Sequence, residues 1–160
     1  QHQNENSQTI TLNFNHPVKE LIWTGAGSGA TAATPGSIGS AGGNTWQLQL
    51  NGHDRFAERD VIHFTREQVA KYHTGTPVLL HSQYEFLTPG STGNASNNRI
   101  GVYSFALKPE EHQPSGTCNF SRIDNAQLIT TSGHGTTHIY AVNYNVLRIM
   151  SGMGGLAYSN

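Results

Sequence analysis

Period-two alternation of apolar and polar side chains marks much of this chain. Ile10, Leu12 and Phe14 alternate with Thr11, Asn13 and Asn15, the pattern of a strand with one buried face. His16-Pro17 interrupts it, and Val18 to Trp23 predicts a second strand, with Leu21 and Trp23 on one face and Val18 and Ile22 on the other. The two are expected to pair antiparallel. Trp46, Leu48 and Leu50 restart the alternation with their side chains inward, and Asn51-Gly52 ends it with favoured turn chemistry. Residues 1–8 are polar and without period, so they predict a flexible N-terminal arm or cut end ahead of a single domain over 9–160.

Between these strands, Gly25 to Gly43 is rich in glycine and small residues, and predicts a long surface loop. One short helix is expected at Thr65 to Tyr72, with Thr65 as cap, Gln68 completing a capping box, and Phe64 and Val69 forming a hydrophobic staple. Strand candidates follow at Val78 to Phe86, Ile100 to Leu107, Thr117 to Phe120, Ala126 to Thr130, His138 to Asn145 and Val146 to Met150. A turn-rich stretch separates the first two, and the two prolines in Lys108 to Gly116 predict an extended loop. About eight strands at short intervals point to a β-sandwich or barrel.

Composition narrows the function classes. A chain of 160 residues suffices for one core. Nine basic and ten acidic side chains give a net charge of −1, so nothing draws the whole molecule to nucleic acid or anionic lipid. Cys118 is the only thiol, which excludes an internal disulfide framework. No apolar run reaches the roughly 18 residues a membrane helix needs, so membrane insertion is not expected.

The chemistry-bearing residues form no recognised site. No lysine sits in a phosphate-binding glycine loop, and nine histidines include neither a His-x-His pair nor a His-Glu-x-x-His motif. His134 and His138 are four apart in a glycine- and threonine-rich stretch that does not favour a helix, so they read as ordinary turn histidines. Cys118 reads as a small inward-facing hydrophobe, and Glu110 and Glu111 as a solvated pair whose side chains diverge. Asn94 and Asn119 each open a glycosylation sequon, with an unmodified side chain as the default. No catalytic residue, cofactor site or metal site is expected.

The segment Tyr103 to Asn125, YSFALKPEEHQPSGTCNFSRIDN, resembles the signature of major capsid proteins from nucleocytoplasmic large DNA viruses, a group that includes phycodnaviruses and iridoviruses. Asn143 to Asn160, Leu50 to Arg59 and Asn15 to Trp23 are similar to further segments of that family, in the same order. The resemblance implies an all-β fold, an eight-stranded antiparallel jelly-roll β-sandwich with one short helix, forming the C-terminal half of a double jelly roll. It also implies a non-enzymatic structural protein of an icosahedral virion, assembled in the host cytoplasm. Its partners would be further copies of itself in a homotrimeric capsomer, neighbouring capsomers and minor capsid proteins. Within the signature, Lys108, Pro109, Glu110, Glu111, His112, Pro114, Asn119, Arg122 and Asp124 are expected to be structural, with Arg122 and Asp124 pairing or bonding to loop backbone in a rigid corner. A single half is expected to fold unaided and to trimerise weakly. The competing reading is a lectin-like module that stacks glycans on Trp23, Trp46 or a loop tyrosine. A cupin-like metalloenzyme would lack its ligands.

Overall fold

The computed structural model describes residues 1–25, 36–39, 43–74, 99–131 and 136–158. In chain order they form β1 (His2–Glu5), β2 (Thr9–Thr11), β3 (Pro17–Gly25), β4 (Thr45–Leu50) and β5 (His53–Asp60). A π-helical turn at His63–Glu67 then runs into α1 (Gln68–Tyr72). The rest are β6 (Ile100–Ser104), β7 (Cys118–Asn119), a 3-10 turn at Phe120–Arg122, β8 (Ala126–Thr130), β9 (Thr137–Asn143), β10 (Leu147–Met150) and β11 (Met153–Leu156). One sheet has the order β1-β9-β3-β6, with β7 also on β3; a second has the order β2-β8-β4-β5; β10 and β11 form a separate hairpin. Every pairing is antiparallel.

The core lies where the apolar faces of the two sheets meet. Leu21, Trp23, Ile139 and Ala141 come from one sheet, and Ile10, Trp46, Leu48 and Leu128 from the other. The Trp23 ring lies 5.6 Å from that of Trp46 and 5.2 Å from that of Phe64, which comes from the helical turn. Gly101 sits opposite Trp23 on β6, and a Cβ there would come within 2.5 Å of Trp23 Cε2. Asn51 and Gly52 both have positive φ, 51° and 76°, the backbone that a tight β4-β5 hairpin requires.

Alternation identified buried faces well and strand partners poorly. The segments expected to pair with one another lie in different sheets: β2 bonds β8, while β3 bonds β9, β6 and β7. Both bury their apolar side chains in the same core from opposite sides, which alternation alone does not distinguish from pairing. The chain crosses between sheets at His16, whose φ of 70° turns the backbone and whose N–H donates to Ser121 Oγ at 2.9 Å. A bulge between Val18 and Glu20 then adds a residue, so Val18 is buried with Leu21 and Trp23 rather than facing away. Ile22, on the other face, is half-buried.

Residues 2–5, expected in an arm, are the edge strand β1 on β9. What orders them is polar rather than apolar. Gln1 Oε1 accepts from Asn15 N at 2.8 Å and Gln3 Oε1 from Asn13 N at 2.9 Å, tying β1 to the segment after β2. The helix begins earlier than its sequence signals. Residues 61 and 62 are already helical, Asp60 accepts from Ile62 N at 2.9 Å, and Thr65 Oγ1 donates back to Val61 O from inside the helix instead of capping it. The glycine-rich stretch is not wholly unpacked, because Ile38 is fully buried and its carbonyl accepts from Trp46 Nε1 at 3.1 Å. The strand expected at 78–86, the turn-rich stretch with Asn94, and His134 lie outside the described residues.

Candidate functional site

The signature segment starts as β6 ends. Phe105 N and Ala106 N both donate to Lys19 O, which holds the chain against the β3 bulge. The loop that follows closes on itself: Leu107 N donates to Ser115 O at 3.3 Å, Lys108 N to Ser115 Oγ at 2.8 Å, and Glu111 N to Lys108 O at 3.3 Å. Gly116 completes the closure with φ 142°, in a place where a Cβ would meet Phe105 O at 2.7 Å. The loop is therefore pinched at its base rather than extended between two prolines. Pro109 is buried, while His112 and Pro114 point to solvent.

Glu110 and Glu111 diverge, as extended chain geometry predicts, but they are not equally solvated. Glu111 Oε1 accepts from Lys108 Nζ at 3.0 Å, with both side chains well exposed, a contact worth little to stability. Glu110 instead reaches the end of α1. Its Oε2 accepts from Thr74 N at 2.9 Å and from Thr74 Oγ1, and its Oε1 faces His73 Nδ1 at 3.1 Å. The other ring nitrogen of His73 meets Glu20 Oε1, on β3. One imidazole thus joins two carboxylates, and three separate parts of the chain converge on it. A ring carrying both N–H groups satisfies both acceptors.

The two carboxylates sit in opposite environments. Glu20 is only 4% exposed, and burial raises its carboxyl above the usual 4.5 against the opposing pull of His73 and Lys19. Glu110 lies at the surface, and the hydrogen bonds from Thr74, with a smaller contribution from His73, lower its carboxyl. This arrangement clamps the signature loop to the helix and to the sheet. A charged residue in the middle of an apolar strand is the sequence signal for it: Glu20 sits between Val18 and Leu21, both fully buried.

The second half of the signature forms a corner around Asn119. Its Oδ1 accepts from Ser121 N at 3.1 Å, capping the 3-10 turn, and Ser121 Oγ accepts from His16 N. Phe120 between them is buried against Phe14 and Phe105. This sequon is thus built into the corner at both of its polar positions. Arg122 and Asp124, expected to pair or to bond loop backbone, are both exposed and form no ion pair with one another among the described residues. Asn51 ties the corner instead, its Oδ1 accepting from Asp124 N at 2.9 Å and Asn125 N at 3.1 Å. Cys118 packs beside the core, and burial raises its thiol above the ordinary value despite the nearby Arg55. A thiol held so favours its protonated, unreactive form.

Elsewhere, His138 stacks on His2, with Nδ1 and Nε2 3.3 Å apart at the β1-β9 edge. The described residues contain no His, Cys, Asp or Glu group arranged to hold a metal ion. Trp23 and Trp46 are both fully buried, so neither offers the stacking platform a lectin-like module needs.

Comparison with known proteins accounts for the fold and the signature together. Residues 1–155 match the family model described as large eukaryotic DNA virus major capsid protein. The chain is 49% identical over 166 residues to the major capsid protein of Pyramimonas orientalis virus, covering 96% of this chain and 39% of that protein. It is 38% identical over 209 residues to that of Paramecium bursaria Chlorella virus 1, covering 96% and 44%. A quasi-atomic structure of the PBCV-1 virus capsid superposes with a TM-score of 0.71 at 33% identity, over 100% of this chain and 50% of that one. The chain therefore spans less than half the length of these two relatives. Two packed antiparallel sheets, one short helix and the signature corner are the features of a viral jelly roll, and the chain belongs to the large eukaryotic DNA virus major capsid protein family.

Proposed function

We propose that this chain is a wall-building β-sandwich of an icosahedral virion, which acts by associating with further copies of itself and catalyses no reaction. The observation that carries this reading is the family match over residues 1–155, together with a superposition that uses the whole chain. The physics of the fold suits the role. A sandwich whose core centres on closely packed, tilted aromatic rings resists distortion, and its signature corner is tied by the Asn51 side chain to the backbone rather than left to adapt around a ligand. In this reading the signature residues Lys108, Pro109, Glu110, Glu111, His112, Pro114, Asn119, Arg122 and Asp124 shape the loop and corner that join β6 to β8. The assembled unit is a homotrimeric capsomer that contacts neighbouring capsomers and minor capsid proteins. It is built in the host cytoplasm and resides in the virion.

The test is electron microscopy of the purified protein over a concentration series, combined with sedimentation. Discrete oligomers that grow into sheets or closed shells are expected. Monomers at every concentration would overturn the reading.

A further inference from the structure

The last described segment is out of keeping with the rest of the surface. Among the described residues, seven of the ten exposed large apolar side chains lie within residues 146–158, on the β10-β11 hairpin and its flanks. Register sorts them. Leu147 lies opposite Leu156 and shares its face with Ile149, while Met150 lies opposite Met153 on the other face with Arg148. Both faces of the hairpin are thus partly apolar, and every residue of β10 and β11 is exposed. An isolated two-stranded hairpin is marginal in water. This one forms its own sheet and is closed by Ala157 N donating to Val146 O at 2.8 Å and by Asn145 Nδ2 donating to Tyr158 O at 2.9 Å.

The glycines of β11 point the same way. Gly101 and Gly116 are required by the fold, since a Cβ at either would strike a neighbour. Gly154 and Gly155 are not: a Cβ at Gly155 meets nothing within 4 Å, and one at Gly154 meets only Ile149 Cγ1, at 3.8 Å. Consecutive glycines weaken a strand unless another backbone must come close. At 55–77% exposure, the seven side chains present on the order of 800 Å², about what each partner contributes to a standard protein interface.

We infer that the β10-β11 hairpin is a clasp that docks on a second copy of this chain, its apolar side chains buried in the contact and the bare backbone at Gly154 and Gly155 giving close approach. The occupant is a further copy because the area matches one side of such an interface and because the proposed function, on which this inference rests, requires copies to contact one another. Arg148, the only charged residue between 146 and 158, offers a single polar anchor in an otherwise apolar contact.

The experiment compares wild type with Gly155→Val and with the double variant Leu147→Ser/Ile149→Ser by sedimentation, with thermal unfolding of each as a check on the fold. In parallel, Met153→Cys in a Cys118→Ser background, labelled with a thiol-directed photo-crosslinker, reports by mass spectrometry what the hairpin touches. Gly155→Val is expected to unfold no lower than wild type yet to self-associate at least tenfold more weakly, the double variant to weaken association as much, and the label to join position 153 to a different copy. Variants that assemble like wild type would overturn the clasp while leaving the shell reading standing. Crosslinks confined to the same copy would overturn it too, by assigning the hairpin to its own chain. Wild type that stays monomeric and gives no crosslink between copies would overturn both.

Discussion

Replacing His73 with alanine tests whether the carboxylate–imidazole–carboxylate cluster is a clamp. In the native protein Glu20 is 4% exposed and its side chain bonds His73; Lys19 favours its ionised form, and Glu110 opposes it. His73→Ala leaves that carboxylate buried without its hydrogen-bond donor. Stranding a buried charged group costs upwards of 1–3 kcal/mol, and the His73 side chain is 21% exposed, so water entering the vacated space keeps the loss to about 2 kcal/mol. For a chain of this size that corresponds to a fall in Tm of roughly 4–8 °C. Burial holds the Glu20 carboxyl above 4.5, so the native state binds its proton more tightly than the unfolded chain does. The stability tied to this group is therefore fullest below 4.5 and is lost as pH rises through the raised native value. Without His73 the rise is opposed by Lys19 alone. The deficit of His73→Ala against wild type is thus expected to be largest at neutral pH and to narrow on acidification toward 4.5. Glu20→Gln in the same background removes the charge that needs a partner and is expected to recover most of the loss. Urea unfolding followed by circular dichroism, at neutral pH and near 4.5, measures all of this. A deficit independent of pH and not recovered by Glu20→Gln would refute the reasoning and place the cost in helix packing instead.

Gly101→Ala forces a methyl to within 2.5 Å of the Trp23 ring, which is fully buried; overpacking of this kind is expected to cost about 1–3 kcal/mol in chemical denaturation. Asn51→Ala removes the acceptor of two backbone N–H groups and places a Cβ-bearing residue without a polar side chain at φ 51°, with an expected loss of about 1–2 kcal/mol in the same assay. Cys118, whose thiol is raised by burial, is expected to react with a disulfide reagent at neutral pH far more slowly in the native protein than in urea; equal rates would place it at an open surface.

The residues that carry the signature were visible in the sequence, and their partners were not. Glu110 could be seen beside Glu111 and assigned a diverging side chain. Nothing local says that it meets Thr74 and His73, because 36 and 37 residues separate them and the meeting depends on where the helix ends. Arg122 and Asp124 looked like the natural pair for a corner. The corner is instead held by Asn51, whose sequence context announced only a turn.

Sequence by itself determined the fold class, the buried faces of β2 and β4, the Asn51-Gly52 hairpin turn and the family, because each depends on side-chain order within a few residues or on a contiguous segment. Only the tertiary structure decided that β2 and β3 occupy opposite sheets, that a polar N-terminus becomes an edge strand, that Val18 turns inward at a bulge, and that His73 joins Glu20 to Glu110. The physical reason is common to all four. Alternation records which side of a strand meets apolar surroundings, whereas partner choice, edge pairing and long-range polar contacts are set by backbone hydrogen bonds and by which elements the closing core brings within reach.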